Sequence, residues 1–524
     1  MKRYEYFRLR FNTIKYLKST QLFYQLLYRM KRMFRGRTSI DLTRFPDVSR
    51  SVRMVESIPA VESLRGSKFS FLNIQHDFHN RIDWNISDYG KLWAYNLNYF
   101  DYLNQHAITL NEATATLNSF VENRANLIEG TEPYPISVRG INWIKYFIAH
   151  EVRDDRYNSL LYSHYQLLSR NLEFHLLGNH LLENGFSLLF ASVYFNDLRF
   201  GKIANKILRS ELEEQILVDG AHFELSAMYH NLILFRLLDC INLLKNSSPE
   251  KSDLISFLHE KAAAMLGWIQ AVTFRNGEFP MVNDSAFGIA PGTSVLVDYA
   301  RRLGITGKVT RLESCGYRMI RFADIELFLD VGHIGPDYIP GHAHSDTFNF
   351  LLYKNAVPVI VDTGTSTYEN NGRRRLERST KSHNTVIVGD KEQSEVWGSF
   401  RVAERAKIVK LDERRNCIQA THDGFKSEGV FHERKWQWSD EKLEMYDLLS
   451  GNSKTATAYL HFHPDQKVRL SENTISTAEI TIRFEGAQTI DLVTYEFAIG
   501  FNKLRTSVKA KVAFQKELVT TIVF

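Results

Sequence analysis

Three short stretches of the chain gather groups able to move protons or hold a metal ion. In GNHLLENG at 178–185, Asn179, His180 and Glu183 are set between apolar runs. His180 and Glu183 are three apart, so they share a face if the segment is helical. In DGAHFELSAMYH at 219–230, Glu224, Tyr229 and His230 stand in equally apolar surroundings. Each of these has a plain alternative. A polar helix start with satisfied side chains accounts for the first stretch, and a buried Tyr commonly does no more than donate one hydrogen bond.

The third stretch, GHAHSD at 341–346, leads into TFNFLLY. An H-x-H on a strand places both imidazoles on one face. Further on, Asp362 ends VPVIVD and His383 opens HNTVIV. Two His and one Asp at strand ends suit a three-ligand metal site. Neutral imidazole and carboxylate without thiolate favour zinc, with calcium or manganese as alternatives.

The elements that must position these groups fall into two textures. Residues 200–218, 228–246 and 253–273 carry apolar positions at three- and four-residue spacing, which predicts helices. Short loops such as Asp219-Gly220 and Asn276-Gly277 separate them, and no strand runs are expected between, so the first part reads as an all-α layer. From near Ser314 the chain turns to short β-branched and aromatic segments, including IELFLDVG, TFNFLLYK, VPVIVDTG and ITIRFEG, at the spacing of an antiparallel sandwich. The predicted organisation is a basic N-terminal arm at 1–40, a helical domain at 41–310 and a β-domain at 311–524. A chain of 524 residues is too long for one ordinary core, and 44% hydrophobic residues supply enough apolar material for two.

The net charge of +5 is unevenly placed: residues 1–37 hold 11 Lys/Arg against Glu5 alone, so the rest of the chain is acidic. The basic balance therefore does not indicate a nucleic-acid binder, and no recognition motif follows it. Within the arm, Leu22, Leu26, Met30 and Met33 share one helical stripe among Arg29, Lys31, Arg32 and Arg35. Such a composition suits peripheral membrane contact; the favoured expectation is instead that the stripe packs on the protein's own helical domain. No apolar run of transmembrane length is present. The N-terminus lacks the h-region and cleavage site of a secretory signal, which points to a cytoplasmic protein or one peripheral at the inner membrane face. Cys240, Cys315 and Cys417 are too scattered for a disulfide framework or a thiolate site. No dinucleotide loop, P-loop or G-x-S-x-G elbow occurs.

In order, YPISVRGINWIKYF, GNHLLENG, DGAHFELSAMYH, FPMVNDSAFG, GHAHSDTFNF, VDTGTSTY and STKSHNTVIVGD resemble the heparinase II/III family over roughly residues 85–410. The resemblance implies an incomplete α/α toroid followed by an antiparallel β-sandwich, with an acidic glycan in the cleft between them. It implies a polysaccharide lyase in which Tyr229 is the acid/base, His342 its partner, and Asn179 or His180 faces the uronate carboxylate, with Glu183 alongside. It implies a structural metal, zinc first, on His344, Asp362 and His383, and substrate contacts from Arg139, Asn142, Trp143, Glu224 and His230. The residues after about 410 match no motif of the family.

β-Elimination needs these groups because a carbanion beside a carboxylate ion is unfavourable unless donors stabilise the enediolate. A base must then take the proton, and an acid must protonate the leaving oxygen. Two rivals share the fold. A glycoside hydrolase would need two carboxylates across the cleft, for which Glu183, Glu224 and Asp284 are candidates. A non-catalytic glycan-binding protein would need none of the proton-transfer groups. A bacterial surface or exopolysaccharide uronan fits as well as heparan sulfate. Clustered Arg for sulfate is offered by Arg139, Arg236 and the run Arg373–Arg375 with Arg378, although that run reads equally as a solvated turn.

Overall fold

The computed structural model describes residues 3–34, 42–451 and 455–524; the last residues of the expected arm, 35–40, lie outside those described. The arm forms two helices, α1 (Arg3–Ile14) and α2 (Ser19–Phe34). After a three-stranded sheet, β1 (Leu64–Arg65), β2 (Lys68–Phe71) and β3 (Ile74–Asp77), a succession of helices builds the toroid. They are α3 (Lys91–Tyr99), α4 (Leu110–Asn123), α5 (Pro133–Ala149), α6 (Asp155–Ser169), α7 (Gly178–Tyr194), α8 (Leu198–Gln215), α9 (Ala227–Ser247), α10 (Ser252–Val272) and α11 (Thr293–Arg302). The small sheet corrects the expectation of an all-helical first part. Its strands are two to four residues long, too short for period-two alternation to stand out in the sequence.

Local chemistry starts these helices where it must. Thr109 and Glu112 form a reciprocal capping box on α4, Pro133 occupies the first turn of α5, and Asp154, Asp197 and Ser226 cap α6, α8 and α9. The Ser226 cap accepts the backbone N–H of Tyr229 at 3.2 Å, which fixes Tyr229 in the first turn of α9.

The β-region opens with a four-stranded antiparallel sheet in the order β4 (Tyr317–Phe322), β5 (Ile325–Asp330), β6 (Phe350–Lys354), β7 (Val357–Ile360). A larger sheet runs from Ile408–Arg414 through Cys417–His422, Val430–Trp438, Lys442–Gly451 and Lys503–Val523 to the long strand Thr481–Gly500 and its short neighbours. The segment IELFLD lacks alternation because both of its faces are buried. Leu327 and Leu329 join the sandwich core while Phe328 between them joins the toroid core, and across the pair Leu352 and Leu351 divide the same way. The first sheet is thus the layer that welds the two domains.

His342 and His344 do not lie on a strand as expected. Residues 341–349 form a loop, and β6 begins only at Phe350. Side chains within that loop, and not sheet pairing, therefore decide where the imidazoles point.

The loop preceding α9 is pinned at Gly220, whose φ is +90°, and a Cβ there would stand 2.2 Å from the Ala264 carbonyl oxygen of α10. Asp219 beside it accepts the backbone N–H groups of Glu313 and Cys315 at 3.0 and 2.9 Å, tying this loop to the interdomain linker. Gly220→Ala is expected to lower unfolding free energy by about 1–3 kcal/mol more than Gly277→Ala. Gly277 has the same φ of +90° but open space around it. Urea denaturation of the two variants measures the difference.

Candidate active site

A cleft of about 760 Å³ lies between toroid and sandwich, with α1 and α2 along a third side. Asn179 and His180, in the first turn of α7, and Tyr229, in the first turn of α9, line it from the toroid; His342 and Tyr368 line it from the sandwich. The Tyr229 ring stacks on the His342 imidazole with centroids 3.8 Å apart, and the Tyr229 hydroxyl donates to that of Tyr368 at 3.3 Å. The Asn179 amide nitrogen donates to His342 Nε2 and to Glu224 Oε2, each at 3.3 Å, while the Asn179 backbone N–H donates to Glu224 Oε1 at 3.2 Å. His180 stands to one side, bonded through Nδ1 to Glu173 at 3.0 Å and packed on Tyr134.

Beneath this group lies Asp284, fully buried. His342 Nδ1 donates to its Oδ2 at 2.9 Å, His344 Nε2 to its Oδ1 at 3.0 Å, and Arg374 grips both oxygens, Nη2 at 2.7 Å from Oδ2. Burial alone would raise this carboxyl, but Arg374 and the two imidazoles outweigh it and hold Asp284 well below the usual carboxylate range. With Nδ1–H of His342 given to Asp284, its Nε2 carries the lone pair. Burial pushes the Tyr229 phenol well above its ordinary value, and the bond with Tyr368 and the nearby Arg374 oppose this only in part, so Tyr229 is protonated in the free protein. At His180 burial works against the imidazolium, yet Glu173 outweighs it and the net shift is upward.

Several expected contacts are placed elsewhere. Glu183 lies one turn deeper in α7, is buried, and holds Arg236 Nε at 3.0 Å; it is Arg236 that borders the cleft. Arg139 is buried, donates to the carbonyls of Asn98 and Gly130 at 3.0 Å each, and is pushed down to about 9 by burial. Trp143 packs among Phe100, Phe120 and Phe147 in the toroid core. Asn142 binds the Tyr99 carbonyl and Asp101, and so positions cleft residues without being one. His230 points away from the cleft, accepting from His222 N–H and donating to the Met265 carbonyl, and burial lowers it to about 3. Of the five expected substrate contacts, Glu224 lines the cleft. These misplacements share one reason: on a helix two or three polar residues of a motif point to different sides, and only packing decides which side is the cleft.

Of the four arginines at 373–378, three are committed within the protein and Arg375 is exposed to solvent. Arg374 is bound to Asp284 and Arg378 to the Ala343 carbonyl, both buried, and Arg373 pairs with Glu377 at 2.7 Å. Tyr368 is a site residue that sequence reasoning missed, and Arg374 one that it offered for sulfate and not for Asp284. Tyr368 sits inside the VDTGTSTY motif, which was the available signal.

At the expected metal position, His383 Nδ1 donates to Asp362 Oδ2 at 2.8 Å, and Asn349 and the Gly364 N–H also bind that carboxylate. The His344 and His383 rings lie 5.3 Å apart, and His344 Nδ1 and His383 Nε2 are buried without a hydrogen-bond partner, as is Asp346 Oδ2. Among the described residues no three His, Cys, Asp or Glu side chains converge as a ligand set. The orphaned pair nevertheless has the chemistry a divalent cation takes: each imidazole gives its N–H to a carboxylate and leaves its other nitrogen open.

Replacing Asp284 by Asn leaves Arg374 buried without its counter-charge. This is expected to cost about 3–5 kcal/mol in denaturant unfolding, with part of the loss recovered in Asp284→Asn/Arg374→Met, where neither charge remains.

Two family models match the chain: Heparinase II/III N-terminus over residues 137–294 and Heparinase II/III-like, C-terminal over residues 305–523. No curated protein sequence matches it. Among solved structures, a heparinase III superimposes with a TM-score of 0.70 at 16% identity, covering 96% of this chain and 91% of that one. The heparan sulfate lyase HepC of Pedobacter heparinus gives 0.58 at 16% identity, covering 87% and 81%. The shared architecture is a helical toroid followed by an antiparallel β-sandwich. With two models of one family together matching most of residues 137–523, the chain belongs to the heparinase II/III family.

Proposed function

We propose that this chain is a polysaccharide lyase that cleaves a uronic-acid-containing glycan by β-elimination in the cleft between toroid and sandwich. The observation that carries the reading is the Tyr229–His342 stack, with Asn179 bonded to the same imidazole. The substrate's carboxylate takes the Asn179 amide, and one such preorganised donor is worth ~3 kcal/mol as the enediolate forms. The first turns of α7 and α9 both border the site, adding the positive ends of two helices. His342 Nε2, its lone pair set by the bond from Nδ1 to Asp284, accepts the proton α to the carboxylate. Tyr229, kept as a phenol by burial, donates its proton to the departing 4-linked oxygen. The matched relatives include a heparan sulfate lyase, which supports an acidic glycan as substrate class. Arg10, Arg29 and Arg401 line the cleft and meet no carboxylate among the described residues, which suits a polyanion. A bacterial uronan meets these requirements as well as a sulfated chain does, since Arg374 and Arg378 are committed internally.

The three carboxylates that the sequence offered for a hydrolase are not free as a pair. Glu183 is committed to Arg236 and Asp284 to Arg374 and two imidazoles, leaving Glu224, which is bonded to Asn179. We also propose a structural divalent cation, zinc by donor type, at the open nitrogens of His344 and His383, with Asp362 holding the His383 Nδ1–H from behind. It would brace the loop carrying His342, and the orphaned ring nitrogens support it. The arm's outward face, in turn, supports a peripheral contact with a lipid surface; among the described residues no helix is long and apolar enough to cross a membrane.

Incubated with a panel of acidic polysaccharides, the purified chain should release an unsaturated uronide absorbing in the near ultraviolet. Tyr229→Phe should reduce that signal by roughly 10²–10⁴-fold while leaving the thermal midpoint in place. A loss under tenfold would remove Tyr229 from the chemistry, and non-absorbing cleaved ends would indicate hydrolysis. For the cation, metal analysis should find a stoichiometric ion that His383→Ala abolishes, and chelation should lower the thermal midpoint. A metal-free chain indifferent to chelator would refute the assignment.

A further inference from the structure

The expected burial of the arm's apolar stripe on the toroid is reversed. Gln21, Tyr24 and Tyr28 of α2 face the body. Gln21 Nε2 donates to the Leu176 and Tyr338 carbonyls at 3.1 and 3.3 Å, Tyr24 stacks on Phe174 at 4.8 Å, and Tyr28 donates to the Leu172 carbonyl. On α1 the packed residues are Tyr6 against Trp397, buried Leu9, and Thr13, which accepts from Trp397 Nε1 at 3.0 Å. The apolar edges point outward: Phe11 is 71% exposed, Leu26 60% and Met33 74%, with Ile14, Leu22 and Met30 beside them.

At 100° per residue these edges have a definite neighbour. On α2 the order round the helix is the body-facing residues, then Gln25 and Arg29 on the cleft, then Leu22, Met33, Leu26 and Met30. On α1 it is Leu9 and Thr13, then Arg10 and Ile14 on the cleft, then Phe11. In both helices the exposed apolar edge therefore adjoins the edge that walls the cleft. Charge selects the occupant. Residues 1–37 hold 11 cations and one acid; Arg8, Lys15 and Lys18 are matched by Glu395, Glu404 and Glu214, while Arg10, Arg29 and Lys31 meet no carboxylate among the described residues. An apolar face bordered by cations fits an anionic bilayer, whereas a second copy would set these cations against their own kind.

We propose that α1 and α2 rest their apolar edges on an anionic bilayer and so bring the mouth of the glycan cleft to the lipid surface. This rests on the peripheral-contact reading and adds an orientation to it. The substrate class it implies is an acidic glycan held at, or growing from, a membrane face.

The test uses the full chain and vesicles of phosphatidylcholine with and without phosphatidylglycerol. The chain should co-sediment with the anionic vesicles, less so at high salt. Phe11→Ser/Leu26→Ser/Met33→Ser, with unchanged circular dichroism, should bind far more weakly, by roughly tenfold or more per inserted side chain. Orientation is read by an environment-sensitive fluorophore on Met33→Cys, or on Arg401→Cys across the cleft mouth, each in a Cys417→Ser background, against lipid carrying a headgroup quencher. Quenching at both positions is expected. Quenching at 33 alone keeps the peripheral contact and overturns the orientation. No co-sedimentation, or a concentration-dependent dimer that the triple variant abolishes, overturns both.

Discussion

A single buried carboxylate joins the two halves of the site. Asp284 belongs to the segment after α10, yet its oxygens are held by His342, His344 and Arg374, all from the β-region. Its backbone N–H reaches the His342 carbonyl at 3.1 Å, and the preceding Asn283 donates to the Leu225 carbonyl and accepts the His344 N–H. Two adjacent residues thus clamp the loop that leads into Tyr229 and the loop that carries His342. A buried ion pair of this kind adds little to net stability beside a well-packed apolar replacement. What it supplies is orientation: with Nδ1 committed, the imidazole has one tautomer and one direction.

Around that clamp, burial and neighbouring charges together set which groups of the cleft hold protons. Burial raises the Tyr229 phenol and the Glu224 carboxyl, so the first keeps its proton and the second gives its proton up less readily than it would in water. Arg236 and Arg374 border or underlie the cleft but are each tied to a carboxylate. The cations left to an incoming polyanion sit at the rim, on the arm and beside Trp397, where water still reaches them. Recognition at the rim and chemistry at the base are therefore separated by how deeply each charge is buried.

The arm makes the third wall through bonds to both domains: Arg8 and Lys15 reach the β-region, Lys18 reaches Glu214 of α8. Such half-exposed pairs are individually weak. The aromatic contacts of Tyr6 and Tyr24 and the near-stack of Arg405 on Tyr16 at 3.8 Å give the seating its specificity.

Helical periodicity and the change of texture near Ser314 were sufficient to specify a helical part followed by an antiparallel β part, because those patterns are local and repeat over many residues; the toroid itself came from the resemblance to the family. The motifs likewise marked Tyr229, His342 and the pair Asn179 and His180, but through their resemblance to the family, since a buried Tyr by itself asks for no more than one hydrogen bond. What only the tertiary structure decided was direction. Glu183, Arg139 and His230 carry the same polar signature in sequence as Asn179 and Tyr229, but packing turns them inward to Arg236, to backbone carbonyls and to Met265. Arg374 read as a surface cation until Asp284, 90 residues away, was brought against it. The apolar stripe of α2 is legible in sequence, whereas its outward orientation is not. Hydrophobic periodicity says that a helix has an apolar face, and only the placement of Gln21, Tyr24 and Tyr28 against the toroid says that this face was left to something other than the protein itself.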